Sequence, residues 1–155
     1  MGASTDAMVL RVDVDRCTEL HDIARWGDGP RMFCKLEYFP MKVLLVDDYS
    51  ATTDLLADVA CSMGHAVTKA YCGADALVAA GGDGAFDFIL VDIGLPDING
   101  HELCLRLRAS EKYASRRIFS MTAYDDVRER FDMSCFDGQL VKPLSLEQFE
   151  SLLSD

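Results

Sequence analysis

At 155 residues, half of them apolar, the chain is long enough to bury one hydrophobic core and too short for two domains of ordinary size. Its formal net charge of -11 argues against a sequence-independent grip on nucleic-acid phosphates, which rests on Lys and Arg, and suits a divalent cation or a basic partner surface better. No apolar run approaches the roughly 20 residues that span a bilayer, and the opening MGASTDAM lacks the basic start and apolar core of a secretory leader; a cytoplasmic protein with no membrane segment is expected.

Residues 1–40 do not share the rhythm of the rest of the chain. Residues 9–14 suit a short strand, and 17–26 carry Leu20, Ile23 and Ala24 at helical spacing before the turn cluster WGDGP at 26–30. MFCKLEYF at 32–39 suits an edge strand closed by Pro40. With no chemical motif, this stretch reads as an extension preceding a domain over 41–155. Six cysteines, at 17, 34, 61, 72, 104 and 135, have neither CxxC spacing nor histidine company, so free, mostly buried thiols are expected.

From Met41 the pattern is regular. An apolar run at 43–46 ends in Asp47 and Asp48 and is followed by a predicted helix over 50–63, capped by Ser50 and ended by Gly64, with Leu55, Leu56, Val59, Ala60 and Met63 as its apolar stripe. A second strand is predicted at 66–70, then a helix with Ala76, Leu77 and Ala80 closed by Gly81 and Gly82. The third strand, FILV at 88–91, is apolar throughout, as burial on both faces requires, and stops at Asp92 before the turn formers Gly94, Pro96, Asp97, Asn99 and Gly100. A helix over 100–109 with Leu103, Leu105 and Leu107 comes next. A strand at 118–121 ends at Thr122, a charged helix is predicted over 125–133, and Leu140 and Val141 form a brief strand before Lys142 and Pro143. A closing helix over 145–153, capped by Ser145, turns Leu146, Phe149, Leu152 and Leu153 inward. Five alternations of strand and helix imply a parallel sheet with right-handed crossovers and helices on both faces.

In such a sheet Asp47, Asp48, Asp92, Thr122 and Lys142 meet at one edge, the edge where ligands of open α/β sheets gather. Each signal alone is weak: paired aspartates serve as caps, a strand-end Thr satisfies backbone groups, and Lys-Pro is a bend. Together they make a chemical set. Three close carboxylates repel unless a cation sits among them, and magnesium, an oxygen-seeking ion that keeps several waters, fits. Asp48 and Asp92 are candidate ligands with the Gly94 carbonyl, and Asp47 binds directly or through water. Lys142 and Thr122 can hold oxygens of a phosphoryl group, and Asp92 can take one as an aspartyl phosphate. His21, His65 and His101 lack such company and are expected at the surface.

The blocks LLVDDYS, ILVDIGLPDINGHEL, SMTAY and LVKP resemble, in content and order, the signatures of the response-regulator receiver domain over residues 42–153. The resemblance implies a flavodoxin-like, doubly wound five-stranded parallel sheet of order 2-1-3-4-5 flanked by five helices. It also implies Asp92 as phosphoacceptor, Asp47 and Asp48 as the acidic metal pair, Thr122 as switch hydroxyl and Lys142 as phosphate-binding lysine, with a cis Lys142–Pro143 bond. The implied cofactor is magnesium. The implied partners are a sensor histidine kinase or a histidine phosphotransfer protein and a downstream protein target, with no direct DNA contact and with homodimers an option. Two positions depart from the family pattern: Gln139 stands where Tyr or Phe turns inward during switching, and Cys135 where Gly ends a helix. An altered readout is then expected, through Tyr124 or residues 1–40, and Gly94 opens the phosphate to water. Because the last helix closes the chain, a single-domain regulator or relay intermediate is expected. Its rivals are a phosphorylation-independent interaction module, favoured by Gln139, and a phosphate-ester hydrolase, disfavoured because Ile93 and Gly94 come after Asp92 instead of the DxDx[TV] loop. A P-loop nucleotidase is excluded by the lack of GxxxxGK.

Overall fold

The computed structural model describes residues 40–123 and 132–154. The expectations for residues 1–39, for Tyr124 and for most of the helix over 125–133 fall outside them. Within them the chain runs β1 (Lys42–Val46), α1 (Ser50–Ser62), β2 (Ala66–Ala70), α2 (Gly73–Gly81), β3 (Phe88–Asp92), α3 (Gly100–Arg108), β4 (Arg117–Thr122), a single 3-10 turn (Met133–Cys135), β5 (Gly138–Val141) and α4 (Leu146–Ser154). The strands form one sheet in the order β2-β1-β3-β4-β5, every pair parallel. The expected strand order is thus observed, with four α-helices among the described residues.

The apolar runs read from the sequence explain why β3 is central. All five of its residues are buried, and successive side chains point to opposite faces. Phe88 and Leu90 join Val43, Leu45 and Met121 beneath α1 and α4, while Ile89 and Val91 join Leu44, Val46 and Ile118 beneath α2 and α3. Each fully buried chain of this size contributes about 1.5–3 kcal/mol. On the α1 and α4 side, Phe88 stacks on Phe119 with ring centroids 5.4 Å apart and meets Phe149 edge-on at 6.4 Å. The Phe119 ring lies 2.5 Å from where a Cβ on residue 138 would stand, so β5 must begin with Gly138.

Several local expectations are corrected. The stripe α1 buries is Thr53, Leu56, Ala57 and Ala60, and Leu55 is half exposed, because a leucine one position from Leu56 is rotated about 100° off the stripe. For the same reason α3 buries Leu103, Cys104 and Leu107 and leaves Leu105 outside. Ser50 is the first residue of α1, not its cap; Tyr49 takes the cap position with no side-chain bond. His65 is buried and not at the surface: its Nδ1 accepts the Met41 amide at 3.2 Å, and burial lowers its pKa. Of the described cysteines, which are all free, only Cys104 is fully buried. Gly64 does end α1, at a φ of 87° that favours glycine, and Ser145 Oγ does cap α4, accepting the Gln148 amide at 3.1 Å. The Lys142–Pro143 bond is cis.

Two polar clamps hold the connections. At the edge of the sheet where the strands begin, Arg108, at the end of α3, donates to the carbonyls of Cys135, Tyr113, Ala114 and Arg116 and to Asp137 at 2.7–3.2 Å. Asp97, in the loop after β3, accepts the Gly73 and Ala74 amides at the start of α2, both at 2.8 Å. That pull comes chiefly from Gly73, then from the Ile98 and Ala74 amides, and it holds the Asp97 carboxyl at about 2, below its ordinary 3.8.

An Arg108→Ala protein is expected to lose about 2–3 kcal/mol of stability in urea unfolding, since half-buried carbonyls lose a charged donor. The contribution of Asp97 is complete above its unfolded pKa and disappears as pH falls through about 2. The stability gap between the native chain and Asp97→Asn should therefore be largest above pH 4 and shrink on acidification, as thermal melts at several pH values will register.

Candidate metal centre at the strand ends

Because β1, β3, β4 and β5 are consecutive neighbours in the sheet, the residues that end them are a strand spacing apart, about 4.8 Å. Asp47 and Asp48 follow β1, Asp92 ends β3, Thr122 ends β4 and Lys142 follows β5. Asp47 is 1% exposed, Asp92 8% and Thr122 2%; Asp48 is exposed. One carboxylate oxygen from each of the three aspartates can be chosen so that all lie within 4.8 Å of one another.

Backbone bonds fix this geometry. The Asp47 amide donates to the Ala70 carbonyl at 3.1 Å, continuing the β1–β2 ladder one residue past its end, and Asp47 Oδ1 accepts the Tyr49 amide at 2.9 Å. Thr53 Oγ1, buried on the first turn of α1, donates to the Asp47 carbonyl at 3.2 Å. Asp92 Oδ1 accepts the Gly94 amide at 3.2 Å. Lys142 Nζ then donates to Asp47 Oδ2 at 2.7 Å and to Asp92 Oδ2 at 2.9 Å, while its own amide donates to the Thr122 carbonyl at 2.7 Å. Burial works against the ammonium, but its bonds to Asp47 and Asp92 outweigh that and raise its pKa. Its stabilising effect therefore persists below the ordinary lysine range and fades only as pH climbs through the raised value.

Three ionised carboxylates against one ammonium leave a formal charge of -2 within a few ångströms, and every donor atom is a hard oxygen. This set fits a divalent cation of the magnesium type. Asp47, Asp48 and Asp92 would hold it. Gly94 is exposed, and a Cβ there would come no nearer than 3.9 Å to Asp92 Oδ1, so residue 94 has no side chain beside that carboxylate and room for one.

All five side chains singled out in the sequence thus lie at one edge, with Asp47, Asp92 and Lys142 in direct contact. Gln139 pairs with Ser120 across the β4–β5 ladder and is partly buried. Cys135 closes the 3-10 turn, and its carbonyl accepts both the Cys104 thiol, at 3.2 Å, and Arg108. Sequence reading missed Thr53 and Asp97. Neither stands out in a linear pattern, because Thr53 looks like any helix residue and Asp97 like any turn residue.

A family model described as the response regulator receiver domain matches residues 43–154, and the chain belongs to that family. Such receivers are signalling modules of two-component systems, not enzymes that turn over small substrates. Among relatives, the transcriptional regulatory protein TrcR of Mycobacterium tuberculosis is 35% identical over 129 residues, which cover 82% of this chain and 49% of that one. The virulence sensor protein BvgS of Bordetella bronchiseptica is 31% identical over 122 residues, 74% of this chain and 10% of BvgS. The match thus spans about half of the first relative and a tenth of the second. Among solved structures, chemotaxis response regulator CheY4 of Vibrio cholerae aligns with a TM-score of 0.69 at 26% identity, covering 75% of this chain and 98% of that one. TrrA of Thermotoga maritima, solved in complex with Mg(2+)-BeF, aligns with a TM-score of 0.64 at 24% identity over 74% of this chain and 96% of that one, a likeness of fold. Among the described residues no helix is long and apolar enough to cross a membrane.

Replacing Lys142 by Met keeps the aliphatic stem but leaves the buried Asp47 facing Asp92 without a counter-charge. In metal-free buffer the variant is expected to lose about 2 kcal/mol of unfolding free energy. Added magnesium should restore more stability to the variant than to the native chain, because a ligand of the folded state stabilises it by mass action. Urea titrations with and without the ion check both.

Proposed function

We propose that this chain receives a phosphoryl group on Asp92 from a phosphohistidine and passes the signal on through protein contacts. The observation that carries the proposal is the Lys142 ammonium bridging Asp47 Oδ2 and Asp92 Oδ2 inside a cluster that still has two uncompensated negative charges. An Asp92 oxygen attacks the phosphorus, an O–P bond forms as the P–N bond breaks, and the donor imidazole leaves. Lys142, moving off Asp92 while keeping Asp47, holds one oxygen of the transferring group, and the Thr122 hydroxyl donates to another. Magnesium, when bound by Asp47, Asp48 and Asp92, neutralises charge on the carboxylates and the phosphoryl oxygens. Water returns Asp92 to a carboxylate and releases inorganic phosphate, and the exposed Gly94 leaves that carboxylate open to it.

The donor is a sensor histidine kinase or a histidine phosphotransfer protein. Kinship with TrcR and with the receiver-like part of BvgS supports a place in such a system. The receiver unit begins near Met41, works in the cytoplasm, and carries its output through the β4–β5 edge that Thr122 and Gln139 share. The added charge of roughly -1.5 to -2 biases two packings of that edge.

A second reading, a receiver-like module that binds its partner without phosphorylation, is favoured by Gln139 alone, whose amide cannot fill a slot shaped for an aromatic ring. One experiment separates the two. With magnesium and acetyl phosphate, the intact mass is expected to rise by one phosphoryl group, and the gain should vanish in Asp92→Ala or on chelation. Absence of labelling, in a tube where another receiver is labelled, would favour the second reading.

A further inference from the structure

The loop between β3 and α3 carries Gly94, whose carbonyl is the proposed fourth contact of the metal centre; its Leu95 and Ile98 pack partly buried against the core, and the Gly94 amide donates to Asp92 Oδ1. Residues 94, 96, 97 and 99 are exposed. It is fastened at its ends. Gly100 packs so closely on β3 that a Cβ there would fall 2.3 Å from the Asp92 carbonyl oxygen. In the middle, the Asp97 carboxylate takes the Gly73 and Ala74 amides, both at 2.8 Å, and the Ile98 side chain occupies the space a Cβ on Gly73 would need, with carbons 2.3 and 2.7 Å away.

The start of α2 explains why the contact is available. Its cap residue is Cys72, whose sulfur accepts the Asp75 amide at 3.4 Å. A thiol is a weak acceptor where Ser, Thr, Asp or Asn is usual. The next two amides, at the positive end of the helix, are satisfied by a carboxylate from 23 and 24 residues further along the chain. The cap of α2 is thus also the anchor of the loop beside Asp92.

We infer that Asp97 is a positioning residue of the metal centre: by capping α2 from a distance it fixes the loop that presents Gly94, with Gly73 the reciprocal half of the contact. The inference rests on the reading of Asp47, Asp48 and Asp92 as a cation site. Residues that orient the groups around a metal without touching it commonly govern its affinity. Asp97 therefore couples the position of α2 to cation affinity, a link that does not pass through Thr122 or Gln139.

The test is direct titration of the whole chain with Mn2+, followed by the paramagnetic signal of the free ion, with Mg2+ competing. The native chain should bind one ion, and Asp48→Asn should weaken it. Asp97→Ala is expected to weaken binding about tenfold, and Asp97→Asn, which retains a carbonyl acceptor, to recover part of the loss. Gly73→Ala should weaken binding too, although alanine is the better helix former. The double variant Asp97→Ala with Gly73→Ala should be no weaker than the worse single, because both break one contact. Arg108→Ala serves as a protein destabilised at the other edge of the sheet and should bind as the native chain does. If the native chain binds no ion, the cation reading itself fails and the inference falls with it. If it binds and Asp48→Asn weakens it, but Asp97→Ala matches the native affinity or Arg108→Ala loses as much, the site stands and the role of Asp97 is overturned.

Discussion

Two carboxylates at the end of a buried sheet are tolerable because one ammonium lies between them. Lys142 Nζ stands 2.7 Å from Asp47 and 2.9 Å from Asp92, and Asp47 has almost no access to water. An ionised group so placed must be paired or must give up its charge. The pairing needs strand ends β1, β3 and β5 to arrive at the same height, which is what the parallel register provides. Much of the molecule serves that requirement: fully buried β3 sets the centre, and Phe88, Phe119 and Phe149 fix the sheet against α4 beneath it.

The same lysine makes the site chemically poised. On the proposed function, a cation arriving among the aspartates would meet charge already arranged, and a phosphoryl group arriving at Asp92 would meet a donor that needs to shift partners only slightly. Preorganised charge of this kind is where enzymes and phosphoacceptors obtain most of their rate. The loop after Asp92 is the complementary part, packed on the core through Leu95 and Ile98, tied to α2 by Asp97 and pressed against β3 at Gly100. On the two proposals, a site assembled this way would respond to movement of α2 as well as to movement of the β4–β5 edge.

The architecture was legible before any coordinate. The edge where Asp47, Asp92, Thr122 and Lys142 collect, the Gly64 terminus and the Ser145 cap agree with the structure because apolar runs, turn formers and caps act locally, while the strand order, which also agrees, is what the family resemblance implies. Misreadings arose where a face had to be chosen. Leu55 and Leu105 look like core residues by side-chain type and are exposed, since rotation about the helix axis and not hydrophobicity decides which leucine meets the sheet. His65 reads as a surface residue and is buried, because its neighbour in space is Met41, just before β1. The helix expected over 125–133 and Tyr124 lie largely outside the described residues.

By itself, the sequence determined that strands and helices alternate, that β3 is buried on both faces, and that acids, a hydroxyl and a lysine fall at strand ends. These follow from side-chain periodicity and backbone preference, which are properties of short segments. Only the tertiary structure decided which of Asp47 and Asp48 is buried against Lys142, that Asp97 caps a helix more than 20 residues upstream, that Gly73 is small because Ile98 lies on it, and that Arg108 ties five partners together. Each of these depends on groups far apart in sequence brought within a few ångströms, where hydrogen-bond geometry and steric exclusion act and where no local pattern records them.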